Sequence, residues 1–119
     1  MSIKTTFVKI RDNYVRNQVK RAKLPYFGVD EIVRYRILFS GRVQKVGFRL
    51  EVSEMAKKLQ LTGFCANQED GSVLVEIQGP DNKIRYLVSF MSSLKRIKIK
   101  KKKIKRLELK LEELEFLTL

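Results

Sequence analysis

Val33-Arg-Tyr-Arg-Ile-Leu-Phe-Ser-Gly-Arg-Val-Gln-Lys-Val-Gly-Phe-Arg49 holds two structural instructions and the joint between them. Over residues 33–40 the apolar side chains alternate, with Val33, Tyr35, Ile37 and Phe39 on one face and Arg34, Arg36 and Leu38 on the other. That is the period of a strand. From Phe48 the period lengthens: Phe48, Val52, Met55, Ala56 and Leu59 recur at helical spacing and stop before Gly63. A helix of about three and a half turns therefore follows the strand directly. Residues 41–49 are the joint. A strand that turns sharply into a helix leaves several backbone amides aimed at one spot, and the positive end of the helix dipole faces the same spot, so the turn holds an anion. Arg49 falls in the first helical turn, where a five-donor guanidinium closes over a phosphate already held by the amides.

Downstream, residues 64–67 and 72–78 read as two short strands, the second pointing Val73, Val75 and Ile77 inward. Asp70-Gly71 between them is a hairpin signal, because glycine accepts the positive φ that such turns require. Gly79-Pro80 opens another helix, proline being tolerated in the first turn, and Ile84, Leu87, Val88, Met91 and Leu94 form its buried stripe. Beyond it, Ile97, Ile99, Leu107, Leu109 and Leu111 share one parity with Lys101, Lys103 and Lys105 interposed, which no single strand accommodates. The pattern predicts a turn or bulge near residues 100–102, a strand from about 103 to 111, and a short terminal strand over 116–119. The order is β-α-β-β-α-β. This is a ferredoxin-like split βαβ sandwich of the α+β class, an antiparallel sheet with two helices on one face.

Upstream, residues 1–22 place Ile3, Phe7, Ile10 and Tyr14 at helical spacing, with Val8, Val15 and Val19 beside them. This predicts an amphipathic helix whose apolar stripe packs on the domain or mediates self-association or protein docking, the alternative being a basic membrane-surface helix. Pro25 and Gly28 end it in a connector. Residues 1–32 are thus an N-terminal extension and residues 33–119 the domain.

Composition narrows the function classes. The chain has 119 residues, 44% of them hydrophobic, enough for one packed domain. No run reaches the roughly 18 apolar residues of a membrane span, and the N-terminus is charged throughout, so a cytoplasmic protein is expected. With no histidine and one cysteine, a zinc or haem site has almost no ligands to draw on. No metal or cofactor is expected, and Cys65 reads as a small core residue. The net charge of +13 is uneven: +4 over residues 1–33, +3 over 34–94, +9 over 95–106 and −3 over 107–119. The lysine-rich segment 95–106 reads as a solvated edge strand whose charge opposes aggregation. A contact surface for nucleic acid or an anionic membrane is its alternative, although it lacks the interleaved aromatics that stack on single strands.

Residues 33–119 resemble the acylphosphatase family. The resemblance rests on Gly41-Arg-Val-Gln-Lys-Val-Gly-Phe-Arg49 and on Gly63-Phe-Cys-Ala-Asn67 followed by Asp70-Gly71-Ser-Val73, with Gly79-Pro80 and the stretch from Phe116 as later landmarks. It implies a hydrolase that splits the carboxyl-phosphate bond of small acyl phosphates. It also implies that Arg49 binds the phosphoryl group, that Asn67 orients the attacking water, and that Gln44, Lys45, Val46, Gly47 and Phe48 supply the rest of the phosphate cradle, where phosphate or sulfate would sit. A site this sparse suits the chemistry. The leaving carboxylate has a pKa of about 4 and departs without a proton donor, so positioning and charge stabilisation suffice.

Two departures from the family pattern bear on activity. The family usually has glycine where this chain has Lys45, so the lysine either strains the loop or adds a second positive charge beside the anion. Tryptophan, valine and arginine are common where this chain has Phe64, Cys65 and Ala66. The alternatives to an enzyme are an acylphosphatase-like module that binds anions or a partner with little or no turnover, and a basic nucleic-acid adaptor acting through residues 95–106.

Overall fold

The computed structural model of the chain describes residues 2–119; Met1, part of the expected extension, lies outside them. Five strands, β1 (Ile32–Arg42), β2 (Thr62–Asn67), β3 (Val73–Pro80), β4 (Lys98–Leu107) and β5 (Phe116–Thr118), form one sheet in the order β4-β1-β3-β2-β5. Three helices accompany it: α1 (Ile3–Arg21), α2 (Phe48–Lys58) and α3 (Asp81–Ser93). Among the described residues no helix is long and apolar enough to cross a membrane.

The alternation read in β1 builds the core. Val33, Ile37 and Phe39 are buried in one cluster with Cys65 of β2, with Val75 and Ile77 of β3, with Phe48, Val52 and Met55 of α2, and with Ile84, Leu87 and Met91 of α3. Both crossover helices therefore cover the same sheet face, each buried aliphatic or aromatic side chain contributing roughly 1.5–3 kcal/mol. Pro80 sits at the N-cap of α3 instead of in its first turn. The α3 amide of Asn82 is instead capped by Asp30 Oδ2 at 2.8 Å, and Phe27 packs edge-to-face on Tyr86 at 5.6 Å, so the connector runs along α3.

Three further expectations need correction. The sheet is mixed: β2 pairs antiparallel with β3 but parallel with β5. Residues 108–115 carry the chain from one sheet edge to the other beneath the open face. There Gln78 bonds both the amide and the carbonyl of Lys110, and Glu113 meets Arg34. That crossing reverses the direction of the last strand.

The lysine-rich strand runs Lys98–Leu107, not 103–111. The expected irregularity is a bulge inside it: Ser40 faces Lys101 and Gly41 faces Ile99, leaving Lys100 over. Gly41 makes this possible, because a Cβ there would lie 2.2 Å from the Lys98 carbonyl oxygen. Pairing stops at Leu107 because its partner, Arg34, lies near the start of β1. β4 is an edge strand with its lysines in solvent.

The third correction concerns α1. Ile3, Phe7, Ile10 and Tyr14 do not pack on the domain; they are 75%, 65%, 60% and 59% exposed. Val15 and Val19 are buried instead, on a face shared with Arg11 and Asp12. Only the second half of the helix lies against α2. Lys58 of α2 fixes that end by donating to the carbonyls of Val19 (2.9 Å), Lys20 (3.2 Å) and Ala22, so an ammonium satisfies the orphan carbonyls of a helix C-terminus.

Candidate active site

The joint between β1 and α2 is a tight loop with a left-handed glycine at the helix start. Gly47, at the N-cap of α2, has φ 80°, and its carbonyl accepts the Glu51 amide at 3.0 Å to start the helix. The amides of residues 44–48 donate to no acceptor among the described residues. Phe48 is buried against Phe39, with ring centroids 5.1 Å apart, which locks the first turn of α2 onto β1. Behind the loop, Arg96 donates from Nε to the Val46 carbonyl and from Nη2 to Glu51 Oε1 at 2.9 Å. Burial pushes the Glu51 carboxyl above the usual range, and the hydrogen bond and charge of Arg96 work against that rise.

Gln44 points away from the cradle. Its side-chain amide donates to the carbonyls of Gln68 (2.8 Å) and Ser72 (2.9 Å), both in the β2–β3 hairpin. It therefore acts here through its side chain as a tie. Lys45 has φ 62°, a left-handed conformation that costs a non-glycine residue roughly 1–2 kcal/mol. The loop accepts that conformation, and Lys45 lines the pocket in front of it.

The hairpin brings the second motif to the same place. Asp70 Oδ1 accepts from both the amide (3.0 Å) and the hydroxyl (2.6 Å) of Ser72, which hold its carboxyl below the ordinary range, and Gly71 turns with φ 93°. The turn is thereby fixed, and Asn67, the last residue of β2, projects into solvent. Cys65 is buried, and burial raises its thiol pKa.

Arg49, Asn67, Lys45, Gly47 and Phe48 line one pocket of about 320 Å³. Arg49 is oriented by donating from Nη1 to the Leu119 main-chain oxygen at 2.9 Å, which leaves its other donors for a ligand. Val46 is buried beneath the loop instead of lining the pocket. A larger apolar cleft between α3 and β4, lined by Tyr35, Ile84, Val88 and Ile104 among others, shares no residue with the two motifs.

The sequence reading missed two contributors from α1. Arg11 and Asp12 form part of the pocket wall, Arg11 donating to the Lys45 carbonyl at 3.4 Å and paired with Asp12 at 3.0 Å. A Cβ at Gly47 would stand 3.2 Å from Arg11 Nε, so the glycine lets α1 approach. The signal was available: residues 8, 11, 12, 15 and 19 follow helical spacing, but polar members at 11 and 12 hid the inward face.

The class is that of a split βαβ sandwich in which the β1–α2 joint and the last residue of β2 meet at one pocket. A sequence model of the acylphosphatase family matches residues 35–117, and the chain belongs to that family. It is similar to the acylphosphatase of Clostridium beijerinckii, 43% identical over 65 residues that make up 55% of this chain and 69% of that protein. Against the acylphosphatase of Clostridium perfringens it is 48% identical over 54 residues, 45% of this chain and 61% of that one. The chain thus spans between three-fifths and seven-tenths of these curated relatives. The crystal structure of acylphosphatase from Bacillus subtilis superposes with a TM-score of 0.68 at 30% identity, covering 73% of this chain and 98% of the other. These likenesses make the chain an acylphosphatase-type enzyme.

Proposed function

We propose that residues 33–119 are the catalytic domain, that they hydrolyse small acyl phosphates to carboxylate and phosphate, and that Arg49, the loop amides and Asn67 carry the reaction. One observation supports this reading above the others: Lys45, Gly47, Phe48 and Arg49 of the first motif and Asn67 of the second, 18 residues beyond Arg49, line a single pocket. The phosphoryl oxygens lie against the amides of residues 44–48 and the guanidinium of Arg49, donors already aimed at the place where charge gathers in the transition state. Asn67 holds a water in line with the bond to be broken. The water oxygen bonds to phosphorus, the bond from phosphorus to the acyl oxygen breaks, and the carboxylate leaves with the electron pair. Its pKa of about 4 removes the need for a general acid. The water's protons end on the phosphate, so an acyl phosphate dianion and water give a carboxylate and dihydrogen phosphate. Release of phosphate from an aromatic acyl phosphate in the presence of a chelator tests this: Arg49→Ala and Asn67→Ala should each lower kcat/KM by at least about a hundredfold, and full activity in both variants would refute it.

A second reading is an anion-binding module with little turnover. Lys45 favours it, because a cation at the mouth of the cradle binds phosphate product as well as substrate. Tight phosphate binding without hydrolysis, together with turnover gained in Lys45→Gly, would decide for it.

A further inference from the structure

The anion pocket does not end at its cations. Arg11 and Lys45, which form one rim of it, also line an open groove whose remaining walls are Ile3, Lys4, Phe7 and Val8 of α1. The two cavities adjoin, with those two residues as a common wall, and the groove includes neither Asn67 nor Thr118. In an in-line displacement the leaving group departs on the side opposite the attacking water. With the water at Asn67, the acyl group leaves on the side of the phosphorus away from Asn67, and the adjoining groove is a cavity that Asn67 does not line.

We infer that α1 makes this a two-part site, in which the phosphoryl group sits in the cradle and an extended apolar acyl chain lies in the groove against Phe7, Val8 and Ile3. The inference rests on the hydrolase reading for its orientation. It accounts for three observations together. The apolar side chains at the start of α1 stay in solvent although the helix is docked at its other end. Arg11 spans both cavities, pinned to the Lys45 carbonyl and to Asp12. The close approach at Gly47 sets α1 at the pocket wall, and its first turns line the adjoining groove. The groove takes the methylenes of a fatty or aryl acyl phosphate, and acetyl phosphate, with one methyl group, leaves it unused.

Each methylene withdrawn from water is worth about a factor of four. Two or three of them in an open groove give the full chain a preference for octanoyl phosphate over acetyl phosphate of about tenfold or more in kcat/KM. Phe7→Ser should lower that ratio about tenfold, through KM for the long substrate, whereas Ile10→Ser, on the same helix but outside the groove, should leave the ratio unaltered. Phe7 is exposed, so its replacement does not threaten the fold. A full-chain ratio of one or less, or equal ratios in the full chain and Phe7→Ser, would overturn the inference.

Calorimetry with octylphosphonate and methylphosphonate separates the two readings. If neither acyl phosphate is hydrolysed but octylphosphonate binds about tenfold more tightly and loses that advantage in Phe7→Ser, the hydrolase reading fails and the groove stands. Equal affinity for the two phosphonates overturns the groove, as does a Phe7→Ser change that converts a dimer to a monomer in sedimentation without altering the phosphonate ratio.

Discussion

The Gln44 side-chain amide donates to the Gln68 carbonyl at 2.8 Å, binding the β1–α2 loop to the hairpin that presents Asn67. A second donation from the same nitrogen to Ser72 at 2.9 Å makes the tie two-pointed. On the proposed mechanism the loop and Asn67 act together although they come from different elements, and an error of about 1 Å between them is enough to cost a hundredfold in rate. Gln44→Glu is the informative change. It keeps the length but replaces a donor by an acceptor facing two carbonyls, costing about 2 kcal/mol of stability. The expected outcome in steady-state kinetics is a fall in kcat of tenfold or more with a smaller change in KM. An unchanged kcat would separate the tie from catalysis.

Lys45 combines an unfavourable backbone with a favourable charge, so its removal should move stability and affinity in opposite directions. Glycine adopts φ 62° without penalty. Lys45→Gly is expected to raise the thermal midpoint by about 4 °C for roughly 1 kcal/mol and to weaken inhibition by inorganic phosphate severalfold. Differential scanning calorimetry and product-inhibition kinetics check the two halves. A lower midpoint would show that the Lys45 side chain stabilises the loop more than its backbone strains it.

Acid should loosen the underside of the sheet. Arg34, 1% exposed, donates to Glu113 at 2.8 and 3.1 Å and to Glu76 at 3.2 Å, and Arg36 bonds Glu76 at 2.9 and 3.1 Å. Burial pushes both carboxyls up, but the hydrogen bonds and charges of the arginines outweigh it and hold Glu76 and Glu113 below the ordinary range. A carboxylate whose folded pKa is depressed contributes stability above its unfolded pKa, and that stability is lost as pH falls through the folded value. Denaturant unfolding should therefore show stability declining from about pH 5 downward. Arg34→Met leaves Glu113 without its cation and Glu76 with Arg36 alone, and should cost about 3 kcal/mol at neutral pH. The acid decline should be shallower in the variant; an identical slope would place the acid sensitivity elsewhere.

Periodicity made the domain legible and left its attachments obscure. Alternation over residues 33–40 and helical spacing from Phe48 identified β1, α2 and the loop between them, because those elements bury one regular face in one core. Arg34 shows the limit of that logic: on the sheet's other face, it is buried only because residues 108–115 cross beneath it and supply Glu113. No local pattern encodes a partner 79 residues away. Of the residues lining the candidate pocket, Arg49, Lys45 and Asn67 were readable from short motifs. Arg11 and Asp12 were not, because they reach the pocket through the docking of a helix whose most apolar stripe stays in solvent. The strongest amphipathic signal in α1 pointed away from its packed face.

The brace behind the cradle separates what stabilises the fold from what shapes the loop. Glu51 is fully buried, and Arg96 joins its carboxylate to the Val46 carbonyl. Because burial raises the Glu51 pKa, the folded chain favours the protonated form over a window where the unfolded chain is already ionised. Stability from this group is therefore lost as pH rises through that window, opposite in sign to Glu76 and Glu113. Glu51→Gln removes the buried charge while keeping an acceptor for Arg96, and should change stability at pH 7 by less than about 1 kcal/mol. Arg96→Met strands the carboxylate and frees the Val46 carbonyl, and should cost about 3 kcal/mol. Both hydrogen bonds belong to one guanidinium, so the double variant Glu51→Gln/Arg96→Met should be more stable than Arg96→Met alone while showing the same loss of phosphate affinity. Chemical denaturation and phosphate-binding calorimetry on the four proteins of the cycle read the two effects separately. Recovery of phosphate affinity in the double variant would show that Arg96 shapes the loop only by neutralising Glu51, and not by holding Val46.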